Sequence, residues 1–139
     1  MQAKIKWTDG VQFVAESGSG HALVVDGAPE SGGRNTGPRP MELLLMGLGA
    51  CSSYDVVSIL KKSRQNIIDC HASVEAERVD AVPAIFNKIH LHFVVTGKDL
   101  KPTQVERAVS LSADKYCSAS IMLGKGGVEI THSHEVVEV

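Results

Sequence analysis

Apolar and polar residues alternate with a period of two at the start of the chain and again in its second half, and each alternating stretch predicts a strand with one covered face. Three short stretches come first: Lys4 to Trp7, Val11 to Ala15 and His21 to Val25. The turn signals Thr8-Asp9-Gly10 and Ser17-Gly18-Ser19-Gly20 separate them and predict a three-stranded meander. Later, "IIDCHASVEAERV" puts Ile68, Cys70, Ala72, Val74 and Ala76 on one face and Asp69, His71, Ser73, Glu75 and Glu77 on the other. "FNKIHLHFVVTG" turns Ile89, Leu91, Phe93 and Val95 inward, and "VEITHSHEVVEV" closes the chain as a last strand.

Between these strands the pattern changes to helical spacing. Asp26 to Pro40, "DGAPESGGRNTGPRP", is too rich in Gly, Pro and Ser for a helix or a long strand, and predicts a mobile surface loop over 26–40. Pro40 suits the first position of a helix that runs to about Lys62 and is apolar on nearly every face until "KKSR", so it must be buried inside the subunit or between subunits. Thr103 and Glu106 form a capping box after Pro102, opening a second helix to about Leu123 with Val105, Ala108, Val109, Leu111, Ala113 and Cys117 on its buried side. Gly124, Gly126 and Gly127 end it. The order predicts an α+β fold in which helices pack on antiparallel sheets.

Composition narrows the function classes. A chain of 139 residues, 43% hydrophobic and 22% charged, fits one domain spanning 1–139, and a net charge of -2 gives no reason to expect nucleic acid as a partner. The start, "MQAKIKWTDG", lacks the apolar run of a signal peptide, and the longest apolar run, Leu43 to Cys51, is shorter than the roughly 20 residues that span a bilayer. A cytoplasmic protein without a membrane partner is the expectation. Three widely spaced cysteines, Cys51, Cys70 and Cys117, fit neither a disulfide framework nor a zinc site of paired CxxC type.

The candidate chemistry lies in "MGLGACSSYD", where Cys51 stands among small residues with Leu44 and Leu48 before it and Asp55 one helical turn after it. Cys117 holds a similar place in the second helix. Facing helices would bring the sulfurs within bonding reach if the Cα atoms approach to about 7 Å. Free cysteine is also a common core filler, so spacing alone leaves packing and reactivity both open. Cys70 reads as core, Trp7 and Tyr54 as packing residues, and Tyr116 and Leu48 as borders of any pocket beside the two cysteines. The pairs His90/His92 and His132/His134 each share a strand face, as a chelate requires, but solvation for the first and packing for the second are the simpler readings.

"PMELLLMGLGAC" together with the distant "DKYC" resembles the OsmC/Ohr family of osmotically inducible and organic hydroperoxide resistance proteins, and within it the YhfA-like subgroup. The similarity runs from "MQAKIKW" to "ITHSHEVVEV". It implies an intertwined homodimer of α+β subunits with two buried, cysteine-bearing helices. It also implies a thiol peroxidase of the oxidative stress response in which Cys51 attacks an organic hydroperoxide and Cys117 resolves the product to a disulfide, with a dithiol reductant as partner and no cofactor or metal. An unperturbed thiol, with a pKa of about 8.5, needs a nearby cation to ionise at neutral pH. The peroxidase members use an arginine held by a glutamate, and there this sequence departs from them. Glu42 stands one residue later than the family's glutamate, on the far side of an ideal helix from Cys51 unless the first turn is irregular. The turn "ESGSGH" has only His21 where the arginine is expected, leaving Arg34 and Arg39 as substitutes. Two other readings stand beside the peroxidase: a non-catalytic dimer binding a small hydrophobic or thiol-bearing ligand, and a thiol redox sensor.

Overall fold

The two early turn signals close hairpins as the pattern predicts. Strands β1 (Ala3–Asp9), β2 (Gln12–Ser17) and β3 (Ala22–Val25) form an antiparallel sheet in the order β1-β2-β3. Gly10 and Gly20 sit in the turns at φ +54° and +87°, backbone that side chains with a Cβ rarely adopt. This computed structural model describes residues 1–139, which pack as two units, Met1–Leu44 and Leu45–Val139.

In the first unit, residues 26–40 form an organised loop rather than a featureless one. The buried Asp26 carboxylate accepts hydrogen bonds from the backbone N–H groups of Gly27 (2.7 Å), Arg34 (3.3 Å) and Thr36 (3.2 Å) and from the Thr36 hydroxyl. The chain folds back so closely that a Cβ on Gly33 would stand 2.0 Å from the Gly27 carbonyl oxygen, and one on Gly37 2.1 Å from that of Val24. The Thr36 hydroxyl does most to hold the Asp26 carboxyl down; burial opposes it, and the three backbone donors add to it, leaving a pKa of about 2.

The apolar helix α1 (Pro40–Lys62) spans the predicted range. In the second unit it buries Leu48, Ser52, Val56 and Leu60, a stripe spaced by four residues. It ends in a Schellman motif: Arg64, at φ +58°, donates to the Lys61 carbonyl (3.0 Å) and Gln65 to that of Leu60 (2.9 Å).

The second sheet has the order β4-β5-β6, with β4 (Asn66–Arg78), β5 (Phe86–Lys98) and β6 (Glu129–Glu138). Central β5 buries Ile89, Leu91, Phe93 and Val95 as expected. Two details correct the sequence reading. The β4 register slips between Ile67 and Asp69, so Ile68 is exposed at 65% while Cys70, Ala72, Val74 and Ala76 keep the covered phase. The sheet is also mixed rather than antiparallel, because β6 runs parallel to β5. Parallel neighbours need a long crossover, and the helical segment between them supplies it.

That segment is not one helix. Helix α2 (Pro102–Leu111) passes into a π-turn (Ser112–Tyr116), the backbone extends at Cys117, and α3 (Ser118–Lys125) comes next. The predicted capping box is absent as well: Lys101 is the N-cap, without a side-chain cap, and Pro102 takes the first helical position, which moves Thr103 one place inside.

Stability should respond at two positions. Leu60→Ala, at a fully buried site, should destabilise the protein by about 2–5 kcal/mol in a denaturant titration. Asp26 titrates lower folded than unfolded, so the stability it contributes is complete above the ordinary carboxylate pKa of about 4 and is lost as pH falls through about 2. The melting-temperature gap between wild type and Asp26→Asn should therefore be open at neutral pH and close over that acid range.

Candidate active site

Two elements of the second unit bring the chemistry together. On α1, Cys51 and Asp55 are one turn apart, flanking the buried position of Ser52. On the crossover segment, the π-turn ends with the Cys117 N–H donating to the Ser112 carbonyl (2.8 Å), after which Cys117 adopts φ -70° and ψ 105° and becomes the N-cap of α3. One extra residue in a helical turn breaks the ladder and re-aims the residues after it. The Cys117 sulfur thereby accepts from the Ser120 N–H (3.4 Å) and from the Ser52 hydroxyl (3.1 Å), while the Ser112 hydroxyl donates to the Ser52 carbonyl (2.9 Å). Two buried serines, Ser52 and Ser112, thus pin the two elements to each other. The sequence reading missed Ser52 and Ser112, whose only signals were their places beside Cys51 and near the middle of an apparently continuous helix.

The Cys51 sulfur, the Cys117 sulfur and a carboxylate oxygen of Asp55 all lie within 4.8 Å of one another. Cys51 is half-buried, Cys117 fully buried, and both are free thiols. Burial pushes the Cys117 thiol up; its bonds from Ser52 and Ser120 pull it down, and neighbouring Cys51 raises it. Burial likewise pushes the Asp55 carboxyl up, and its Oδ2 is buried with no hydrogen-bond partner. Two thiols and a carboxylate at this spacing also satisfy the first distance condition for a soft-metal site, which the cysteine spacing did not predict.

Asp55 also lines a surface groove of about 630 Å³ with Tyr54, Lys62, Arg107, Leu111 and Tyr116. Tyr116 borders this groove, whose lining includes neither cysteine, and Leu48 is fully buried rather than pocket-lining. Arg107, which no sequence motif marked, lines the groove together with Lys62. The other expected supporting residues have partners within the first unit. Arg34 pairs with Asp9, and Arg39 donates to the Asn35 side chain (2.5 Å). Because α1 is regular from Pro40, Glu42 occupies its third position and accepts from the Arg39 N–H (2.9 Å), acting as a helix cap.

The remaining candidates are accounted for by local contacts. His90 bonds the hydroxyls of Thr131 (2.7 Å) and Ser133 (2.9 Å), and His92 bonds Ser133 (2.7 Å), so their face of β5 is half-covered by β6 rather than fully solvated. His132 and His134 are half-buried on β6. Cys70 is half-buried, its thiol pushed up by burial and then by Asp69.

Comparison with known proteins agrees with this architecture. The profile of the family described as OsmC-like protein matches residues 32–133. The chain is 53% identical to Protein YhfA of Escherichia coli (strain K12) over 137 residues, covering 99% of this chain and 98% of that protein. A crystal structure of a hypothetical protein from Aquifex aeolicus VF5 superposes with a TM-score of 0.86 at 30% identity, covering 99% and 96% of the two chains. That of an organic hydroperoxide resistance protein OsmC from Legionella pneumophila does so with 0.71 at 21% identity, over 99% and 96%. With its family-wide match, its full-length relatives and its mixed α+β fold, the chain belongs to the OsmC/Ohr family.

Proposed function

We propose that this protein is a thiol-dependent peroxidase that reduces organic hydroperoxides, Cys51 attacking and Cys117 resolving. The observation that carries this reading is the pair of free sulfurs within 4.8 Å of each other, one half-buried and one fully buried. The accessible thiol meets the peroxide; the enclosed one, held protonated by its burial, waits for the oxidised product. As thiolate, Cys51 attacks the O–O bond, the alcohol departs, and a sulfenic acid remains on its sulfur. The Cys117 sulfur displaces water from that sulfenic acid, and a dithiol reductant reopens the disulfide. Bonding requires the sulfurs to close to about 2 Å, and the extended residue between the π-turn and α3 is a short pivot for that movement. A reducing, cytoplasmic setting suits three free thiols.

Assembly as a homodimer belongs to the same proposal. Large apolar side chains face solvent in each unit: Ile5 and Trp7 on β1, Leu44 at the start of α1, and Met46 and Tyr54 farther along that helix, Tyr54 at 76% exposure. Such surface is normally covered by another chain. A second reading, a dimer that binds a small ligand without turnover, draws on the groove and on the local partners of Arg34, Arg39 and Glu42.

Turnover separates the two readings. Reduced protein mixed with a small excess of cumene hydroperoxide should lose two thiols per chain within seconds and yield a Cys51–Cys117 disulfide by mass spectrometry. Loss no faster than in Cys51→Ser favours the binding protein. Light scattering at micromolar concentration should give twice the chain mass, and a monomer would count against the dimer.

A further inference from the structure

Asp55 has no place in the peroxidase cycle as written, yet its carboxylate stands against both sulfurs. Asp55 is half-buried, but its Oδ2 is buried without a donor, and such an oxygen loses its hydration and gains nothing in return. Its partner is therefore to be sought among groups that arrive during reaction. In a triangle whose sides do not exceed 4.8 Å, some point lies within about 2.8 Å of all three corners, which is hydrogen-bond distance. One oxygen atom passing through that point would come within hydrogen-bond reach of the Cys51 sulfur, the Cys117 sulfur and the Asp55 carboxyl together. In a thiol peroxidase one oxygen has that history: it leaves the hydroperoxide, rides on Cys51 as the sulfenic hydroxyl, and departs as water.

On the peroxidase reading, we propose that Asp55 is the proton carrier of both half-reactions. In the first, the Asp55 carboxylate takes the Cys51 thiol proton, the thiolate attacks the peroxide oxygen distal to carbon, the O–O bond breaks, and Asp55 returns that proton to the leaving alkoxide. The products are the Cys51 sulfenic acid, the alcohol and the Asp55 carboxylate. In the second, that carboxylate takes the Cys117 thiol proton, the sulfur attacks the sulfenic sulfur, and Asp55 returns the proton to the departing hydroxide, leaving a disulfide and water. Hydrogens and charge balance in each half, and the only oxidant is the hydroperoxide.

The surroundings suit the role. Burial pushes the Asp55 carboxyl up, which makes its carboxylate a stronger base toward the thiols, and the groups around it are Cys51 and Cys117 at the triangle and Tyr54, Lys62, Arg107 and Tyr116 along the groove. Once it holds the Cys51 proton, the neutral carboxyl no longer repels the thiolate as a carboxylate would. It stabilises that thiolate by donating to it, in a chain whose Arg34 and Arg39 are engaged elsewhere.

The test compares two oxidants whose leaving groups differ in their need for a proton. Cumene hydroperoxide releases a strongly basic alkoxide, whereas peracetic acid releases a carboxylate that leaves unprotonated. In stopped-flow measurements of Cys51 oxidation, Asp55→Asn should slow the reaction with cumene hydroperoxide by about 100- to 10,000-fold and that with peracetic acid far less, while Asp55→Glu recovers part of the loss. Far-ultraviolet melting curves establish that each variant is folded. Equal slowing with both oxidants, or none, would overturn the assignment of Asp55 while leaving the peroxidase reading intact. Wild-type protein inert to both would overturn the peroxidase reading, and this inference with it.

Discussion

The second unit depends on the interruption of the crossover segment at Cys117. Were Pro102 to Lys125 one regular helix, Cys117 would lie part-way along it with its N–H and carbonyl tied into the ladder. After the π-turn the residue is extended instead, its N–H bonded back to the Ser112 carbonyl and its carbonyl to the Ile121 N–H, and the sulfur takes the N-cap position of α3. The break is held from the opposite side by α1, through the Ser52 hydroxyl on the sulfur and the Ser112 hydroxyl on the Ser52 carbonyl. The same three residues thus set where the sulfur points, which thiol is enclosed, and how near Cys51 stands. A side chain larger than serine at position 52 would occupy the space through which the two elements meet.

The first unit obeys a different constraint. Its loop turns around one carboxylate, Asp26, which gathers four donors from Gly27, Arg34 and Thr36 and keeps its charge because they point at it. Asp55 is its opposite. Asp26 is saturated with donors and held acidic, whereas the buried Oδ2 of the half-buried Asp55 lacks a partner and burial pushes that carboxyl up. Hydrogen bonding favours the charged form of the first, and desolvation disfavours that of the second.

The supporting residues that the resemblance suggests each have a partner in the first unit, and the Arg39 Nε lies 3.8 Å from the Glu42 carboxylate. Glu42 begins α1 as a cap, where its carboxylate satisfies an N–H that no helical carbonyl can reach, and Arg39 and Arg34 have acceptors close in sequence or across the first sheet. The cations that line the groove with Asp55 are Lys62 and Arg107, from the end of α1 and the middle of α2. A site can keep its thiols and still draw its electrostatic environment from different elements.

Elements whose signal is local were legible in the sequence. The meander, the full span of α1 from Pro40 to Lys62, the inward set of β5 and the unusual setting of Cys51 all arise from periodicity, turn residues and one proline, because each depends on neighbours a few residues away. Asp55 was visible too, one turn from Cys51, although its meaning was not. The hidden features depend on distant partners: the bulge that exposes Ile68 is set by pairing with β5, and the parallel course of β6 by the crossover beneath it. The break at Cys117 is stabilised by serines 60 and 65 residues apart in the chain from their partners. The sequence alone therefore determined the elements and named the two thiols, while the tertiary structure decided that they meet, that one is enclosed, and that an unpartnered carboxyl stands beside them. Periodicity records which face of an element avoids water; only packing determines which buried polar atoms find a partner there.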